Sequence, residues 1–353
     1  MYCFKEEIRK LLYHKILLVF WGVCMVFNLV LILLSSGPSR QLDIISQDYK
    51  PQMGEEILKH IDGSGLGTWY YDERYKESDV LVKMMHDKYQ KLDLALENLV
   101  NNQADLSTYA EELTVQVHEA LFGYLTKALM IEGILIFTFL VLDAFYMEYH
   151  DKALYTVYCS RRGRRIAFDK MLAAFVLGLI GLVILCVLTY LVFFKVWNFE
   201  KIWDANVASS FNFILDSDEP IFRKPFITWT SFTVKQYFVA TVIMTVGIWI
   251  AWWMLSTAIV LVNRKMSIAI GILASAFILP FFGLILFTKI PELYFLTTLS
   301  ITADVYYSHV WFTDMGYHSI VPWQETMSVI IHLGLGALCI IGAYYMFRRK
   351  DIC

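Results

Sequence analysis

Six stretches of the chain are apolar almost throughout: Ile16–Leu34, Leu125–Met147, Met171–Phe194, Tyr237–Val262, Met266–Thr288 and Met327–Phe347. Each is long enough, alone or with its flanks, to cross a hydrocarbon core roughly 30 Å thick as a helix rising about 1.5 Å per residue. Five of them contain no Asp, Glu, Lys or Arg, and the second carries Lys127, Glu132 and Asp143. Composition agrees, with 58% hydrophobic and 18% charged residues and a mean hydropathy of +0.52, where a soluble domain has about 45–50% and about 25%. These runs exclude a soluble enzyme and a disordered scaffold. A net charge of -3 offers no basic domain for a nucleic-acid backbone. The expected fold is an all-α polytopic membrane protein with six spans.

The distribution of Lys and Arg orients the spans. Residues 1–15, 148–170, the turn after the fourth span and the tail 348–353 together hold 15 basic residues against six acids. The other side holds 15 basic residues, Lys127 included, against 25 acids in a far longer stretch of chain. Basic residues gather in short cytoplasmic loops, so both termini are expected inside, in a plasma membrane. The first run is longer than the usual h-region of about 7–15 residues, and no small-x-small cleavage site follows; an uncleaved span is expected. All six cysteines fall in cytoplasmic or membrane segments, no metal-ligand spacing occurs, and no Asn-x-Ser/Thr sequon is present. With no cysteine in the exoplasmic loops no disulfide framework is expected there, and that absence together with the missing sequon favours a bacterial plasma membrane.

Outside the spans the pattern is mostly helical. In residues 1–15, Phe4, Ile8, Leu11, Leu12 and Ile16 recur at helical spacing while Lys5, Glu6, Glu7, Arg9 and Lys10 face elsewhere, as expected of a helix lying in the cytoplasmic interface. Residues 35–124 are too many for a plain loop. Their second half reads as a helical hairpin: Leu81, Met84, Met85, Leu92, Ala95, Leu96 and Leu99 form one face, Asn101-Asn102 breaks it, and a second helix capped at Ser107 or Thr108 runs on into the second span. The cluster Gly63-Ser64-Gly65-Leu66-Gly67 lacks the Lys-Ser/Thr of a phosphate loop and reads as a turn. Loop 195–236 is rich in aromatics, expected to form an interfacial belt and to pack on the hairpin. In loop 289–326, Leu293–Leu299 is apolar but too short to span and is read as a re-entrant or interfacial helix.

The cytoplasmic loop 148–170 is the most informative segment. It opens on Glu148, carries Leu154, Tyr155, Val157 and Tyr158 at helical spacing, and closes on the basic run from Ser160-Arg161 to Arg165 and on Lys170. Acid first and base last complement a helix dipole, and the aromatic ridge offers a docking surface for a cytoplasmic partner. The plainer alternative is that the basic cluster only sets topology.

An interfacial N-terminal helix, six spans and the series Glu148, Leu154, Ser160-Arg161 and Lys170 between spans two and three resemble the permease subunits of type-2 ATP-binding cassette (ABC-2) transporters. The layout covers essentially the whole chain, and likeness of sequence is confined to some 25 residues. Lys152-Ala153 and Arg161-Arg162 stand where that family often has a glycine-threonine and a proline. The resemblance implies that this loop is a coupling helix seated on a separate cytoplasmic ATPase, with Glu148, Leu154, Tyr155, Tyr158, Ser160, Arg161 and Lys170 at the contact. It also implies a dimer of permeases, homodimeric or with a paralogue, that exports its cargo. The chain has no Gly-x-x-x-x-Gly-Lys-Ser/Thr, so it is expected to be a transport subunit and not an enzyme. It carries no cofactor of its own, and ATP and magnesium belong to the partner.

Within the membrane, Glu132 and Asp143 lie 11 residues apart, on one face of a helix about 16 Å apart. Intramembrane acids are functional candidates. Together with His332 they mark a tentative substrate path, the acids meeting a cationic substrate or a proton; alternatively they hydrogen-bond to Asn28, Tyr190, Ser256 or His332. Small residues in spans three, five and six (Gly178, Gly181, Gly271, Gly334, Gly336, Gly342) are expected to let helices approach closely. The expected function is a permease that moves an amphipathic cargo such as a peptide, an antibiotic or a lipid-like compound. A ligand sensor or assembly component without transport is the alternative. A membrane-embedded enzyme is disfavoured, because acids and histidines do not converge at one depth.

Overall fold

The computed structural model describes residues 2–13, 15–35, 75, 77–102, 117–150, 157, 163–197, 199, 203–204, 206–207, 226–263 and 265–349. These segments are mostly helical, with turns and irregular chain at 203–204, 206–207, 226–233 and much of 307–323 and two single β-bridges, Asn206 to Thr233 and Thr228 to Thr313. Among the described residues six helices are long and apolar enough to cross a membrane, as befits a membrane-embedded helical protein. The helices are α1 (Tyr2–Tyr13), α2 (Lys15–Ser35), α3 (Asp79–Asn101), α4 (Thr126–His150), α5 (Ile166–Val196), α6 (Val234–Val262), α7 (Met266–Leu286), α8 (Pro291–Thr298), α9 (Ile301–Tyr306) and α10 (Gln324–Arg349).

The central span is α4. Of its apolar stretch 72% is buried, against 17% for α2 and α7, which explains how a span carrying Glu132 and Asp143 is tolerated: protein, not lipid, surrounds it. Helix α6 packs along α10 on one side and α4 on the other, and α5 lies against α4, α2 and α1. The α4–α6 contact is close because Gly133 has no side chain; a Cβ there would lie 2.0 Å from Trp249 Nε1. The indole instead donates to Met130 O at 3.2 Å, and Trp252 Nε1 donates to Thr138 Oγ1 at 2.9 Å. Gly178 likewise admits the Phe137 ring onto α5, and Gly336 admits Met254 onto α10. A Cβ added at Gly181, Gly271, Gly334 or Gly342 would meet nothing within 4 Å among the described residues, so the missing side chain at these four does not admit a neighbouring helix there, although the Gly181 carbonyl accepts from Trp21 Nε1 at 3.0 Å.

Helix starts and irregularities have local causes. Helix α6 opens with a capping box, Thr233 and Gln236 each bonding the other's backbone N–H. A π-turn, Glu119–Leu125, leads into α4, and Thr126 Oγ1 satisfies its Leu121 carbonyl at 2.7 Å. The expected cap at Ser107 or Thr108 and the glycine cluster 63–67 lie outside the described residues. Val117 and His118 are already helical.

Away from the chain termini the bundle carries a cap. Leu81, Met85, Leu92, Ala95, Leu96 and Leu99 of α3 are buried against Ile227, Trp229, Tyr294, Tyr307 and Ile320. The apolar face of α3 is the one its periodicity gives, save that Met84 is only half-buried and Lys88 is fully buried. Lys88 Nζ donates to Gly316 O at 2.7 Å and Ser319 O at 2.8 Å, which offsets the cost of burying an ammonium. Trp229 thus packs in the α3 layer, whereas Trp197 and Phe199 join the core of the bundle. The apolar stretch after Pro291 forms α8, with the proline at its first turn. Phe312, Met315 and Trp323 have φ of 61°, 49° and 58°, a strained conformation for non-glycine residues. Trp311 Nε1 to Asp304 O (3.0 Å) and Ser319 Oγ to Asp314 O (2.6 Å) brace that segment.

Candidate functional site

Two polar nodes stand out, one at the end of the bundle that holds both termini and one inside the membrane. The first begins with α1. Phe4, Ile8 and Leu11 pack against the bundle as their spacing predicts, with Leu11 fully buried. Leu12 and Ile16 are exposed, and Glu7, expected on the polar face, is buried at 5% exposure. Position 7 falls between 4 and 11 on the same helical stripe, so Glu7 is carried inward with its apolar neighbours.

Burial there is tolerated because two lysines meet two glutamates. Lys10 Nζ lies 2.8 Å from Glu7 Oε1 and 3.1 Å from Glu148 Oε1. Lys170 Nζ lies 3.0 Å from Glu148 Oε1 and 3.7 Å from Glu7 Oε2, and donates to Ala144 O at 2.5 Å. Burial pulls the Lys10 pKa down, but hydrogen bonds and charge from Glu7 and Glu148 outweigh it, leaving the value above 10.5. Charges balance two against two. The node fastens α1 to the end of α4 and the start of α5. Arg164 adds a fourth element by donating to the Phe347 carbonyl at 3.4 Å and to the Arg348 carbonyl, where a cation suits a helix C-terminus.

Glu148 and Lys170, expected at a partner contact, are 4% and 1% exposed. They are brought together inside the fold, at the base of the loop. Leu154, Tyr155, Tyr158, Ser160 and Arg161 lie outside the described residues. Sequence reasoning missed Glu7 and Lys10 as partners of the loop ends; the signal available was a carboxylate at position 7 of the Phe4–Ile8–Leu11 stripe.

The second node joins α2, α4 and α5. Asn28 Nδ2 donates to Glu132 Oε2 at 2.9 Å and lies 3.3 Å from Thr189 Oγ1. All three residues are at most 6% exposed. Of the neighbours expected for Glu132, Asn28 is the one that binds it. Tyr190 instead pairs with Thr126 at 3.2 Å, and Ser256 Oγ is buried without a partner among the described residues. Among the described residues Glu132 Oε1 is buried with no nitrogen or oxygen partner, and the neighbouring thiol of Cys24 is a weak donor to this carboxylate. Glu132, Cys24 and Lys127 line a groove of about 450 Å³ whose other walls are Phe20, Val23, Phe27, Leu31, Tyr124, Ala128, Ile131 and Leu135, with Gly123 between them. Lys127 Nζ sits 5.1 Å from the Tyr306 ring centre.

His332 is half-buried, its Nδ1 2.8 Å from Ser328 O, and Ser328 Oγ donates to Asp304 Oδ2 at 2.7 Å. The hydrogen bonds around His332 and those around Glu132 share no residue, so the structure does not unite them in one site. Asp143 is half-buried on α4. No group of three His, Cys, Asp or Glu that would hold a metal occurs among the described residues. Comparison with protein-family models, with curated proteins and with solved structures finds no match.

Proposed function

We propose that this chain is the permease subunit of an ABC-2-type exporter, driven by a separate cytoplasmic ATPase and working as a pair of permeases. Both termini and loop 148–170 lie on the cytoplasmic side in this reading, which the excess of basic residues there supports. The cargo is amphipathic.

The observation that carries the proposal is the four-membered ionic node. A loop that receives force from a partner must pass it to the spans without yielding. The two ends of loop 148–170 are clamped to each other through Glu148 and Lys170, and to α1 through Glu7 and Lys10. Arg164 ties the same loop to the end of α10. Displacement of the loop therefore moves α1, α4, α5 and α10 together. Tyr155 and Tyr158 make the contact with the ATPase, and Glu148 and Lys170 transmit it from below.

Co-expression with an ATP-binding cassette subunit, sought first beside the gene for this chain, tests the reading. The two proteins are expected to purify together, and an amphipathic amine is expected to stimulate ATP hydrolysis by the complex in lipid vesicles. Absence of any complex, or transport by this chain alone, would overturn it.

A further inference from the structure

We infer that the groove between α2 and α4 is a binding site for a single-chain amphipathic amine drawn from the membrane, its ammonium group held by Glu132 and its hydrocarbon tail laid along Phe20, Phe27 and Leu135. As the first station of a cargo this rests on the export proposal; as a binding site it does not.

Three features converge. The groove opens toward lipid: Phe27, Ile131 and Leu135 on its walls are 51%, 38% and 41% exposed, yet the carboxylate at its floor is 6% exposed. Its volume of about 450 Å³ falls within the range of ligand sites, roughly 300–1,000 Å³. Finally, Glu132 is half satisfied, Oε2 accepting from Asn28 while Oε1 has no nitrogen or oxygen partner among the described residues. A carboxylate offered no donor beyond Asn28 and the weak thiol of Cys24 is left short of strong partners among apolar walls, and an ammonium donor is the group that relieves this most. A neutral lipid tail fills the groove without satisfying that oxygen.

Placement supports the same ligand. Asn28 lies seven residues from the end of α2 at Ser35, about 10 Å along the helix axis, so the carboxylate sits below headgroup depth. Lys127, five residues before Glu132, stands about 7.5 Å nearer the capped end with its ammonium over Tyr306. An anionic amphiphile would halt at Lys127, whereas an amine is repelled there and settles at Glu132. A second cavity, of about 230 Å³, shares Leu31 and Tyr124 with the groove and continues past Ser35 and Phe193 toward the capped end. The tail therefore has an apolar route out of the groove.

The test uses the purified full-length chain in lipid nanodiscs with photoreactive diazirine analogues of dodecylamine and dodecanol. The amine is expected to label peptides spanning residues 20–35 and 120–135, with about tenfold to hundredfold preference over the alcohol, the range for a hydrogen bond to a charged group. Glu132→Gln removes the preference. Leu135→Trp, at a lipid-facing position away from the Asn28 bond, fills the groove and lowers labelling even if Glu132→Gln fails to fold. Equal labelling by amine and alcohol, labelling confined to other segments, or labelling unchanged by Leu135→Trp would each overturn the site. Because no ATPase is present, failure here leaves the export proposal standing, and failure of export leaves the site standing.

Discussion

Lys170 Nζ lies 3.0 Å from Glu148 Oε1, so the two ends of one loop are bonded to each other beneath it. Both side chains are nearly inaccessible, and each also faces a charge from α1. The pair is therefore part of the fold that holds the loop, and its removal should be felt first as stability.

Lys170→Met leaves Glu148 facing only the half-exposed Lys10, and should cost about 3–5 kcal/mol, as breaking one side of a buried pair does. Pairing it with Glu148→Gln should restore part of that loss. Lys10→Ala should cost less, because its side chain is 40% exposed and solvent screens it. Apparent melting temperatures in detergent for the two single variants and the double variant measure the coupling. Strict additivity would show that the pair is not coupled.

Gly133→Ala drives a methyl into the Trp249 indole and should destabilise by about 1–3 kcal/mol or more through overpacking. Gly181→Ala, on a face with nothing within 4 Å, should be neutral or stabilise by up to about 1 kcal/mol, as alanine does in a helix. The contrast in melting temperature checks the α4–α6 contact. Equal effects at the two positions would contradict it.

Acid should loosen the capped end. Burial pushes His118 and His309 down to about 4, Lys127 adding to the effect on His309. Both rings are neutral when folded, while an unfolded histidine titrates near 6.5. The unfolded state thus binds more protons between those values, and stability is lost as pH falls from about 6.5 toward 4. Each ring contributes about 3 kcal/mol by this linkage. Asp304 works the other way, since burial holds its carboxyl well above the usual range. The check is therefore differential. His118→Phe gives up the contact of Nε2 with His309 O at 3.1 Å but should flatten the pH dependence of melting over that window. An unchanged slope would place the acid sensitivity elsewhere.

The spans were legible because apolar runs of this length have one stable solution in lipid: a helix, which satisfies every backbone group internally. The same logic gave the α3 face, where seven apolar residues repeat at helical spacing. Partners were harder to read. Glu132 was singled out by its sequence position, but that Asn28 and not Ser256 or His332 would bind it depends on which spans pack together. Periodicity within one span carries no such information. Glu7 was misassigned because charge was taken as a sign of exposure; two lysines, one from another helix, reverse that inference. Lys88 repeats the lesson, its ammonium finding backbone carbonyls more than 200 residues downstream.

Coupling is tested most directly by replacing Tyr155 and Tyr158 together with Ala in the full chain, co-expressed with an ATP-binding cassette subunit that the unaltered chain is found to bind. Recovery of that subunit with the purified chain, and its amine-stimulated ATP hydrolysis in vesicles, are then measured. The account predicts that the double variant folds with an unchanged melting temperature, loses the bound ATPase and loses stimulation. Undiminished recovery and stimulation, or export by the chain with no ATPase present, would contradict it.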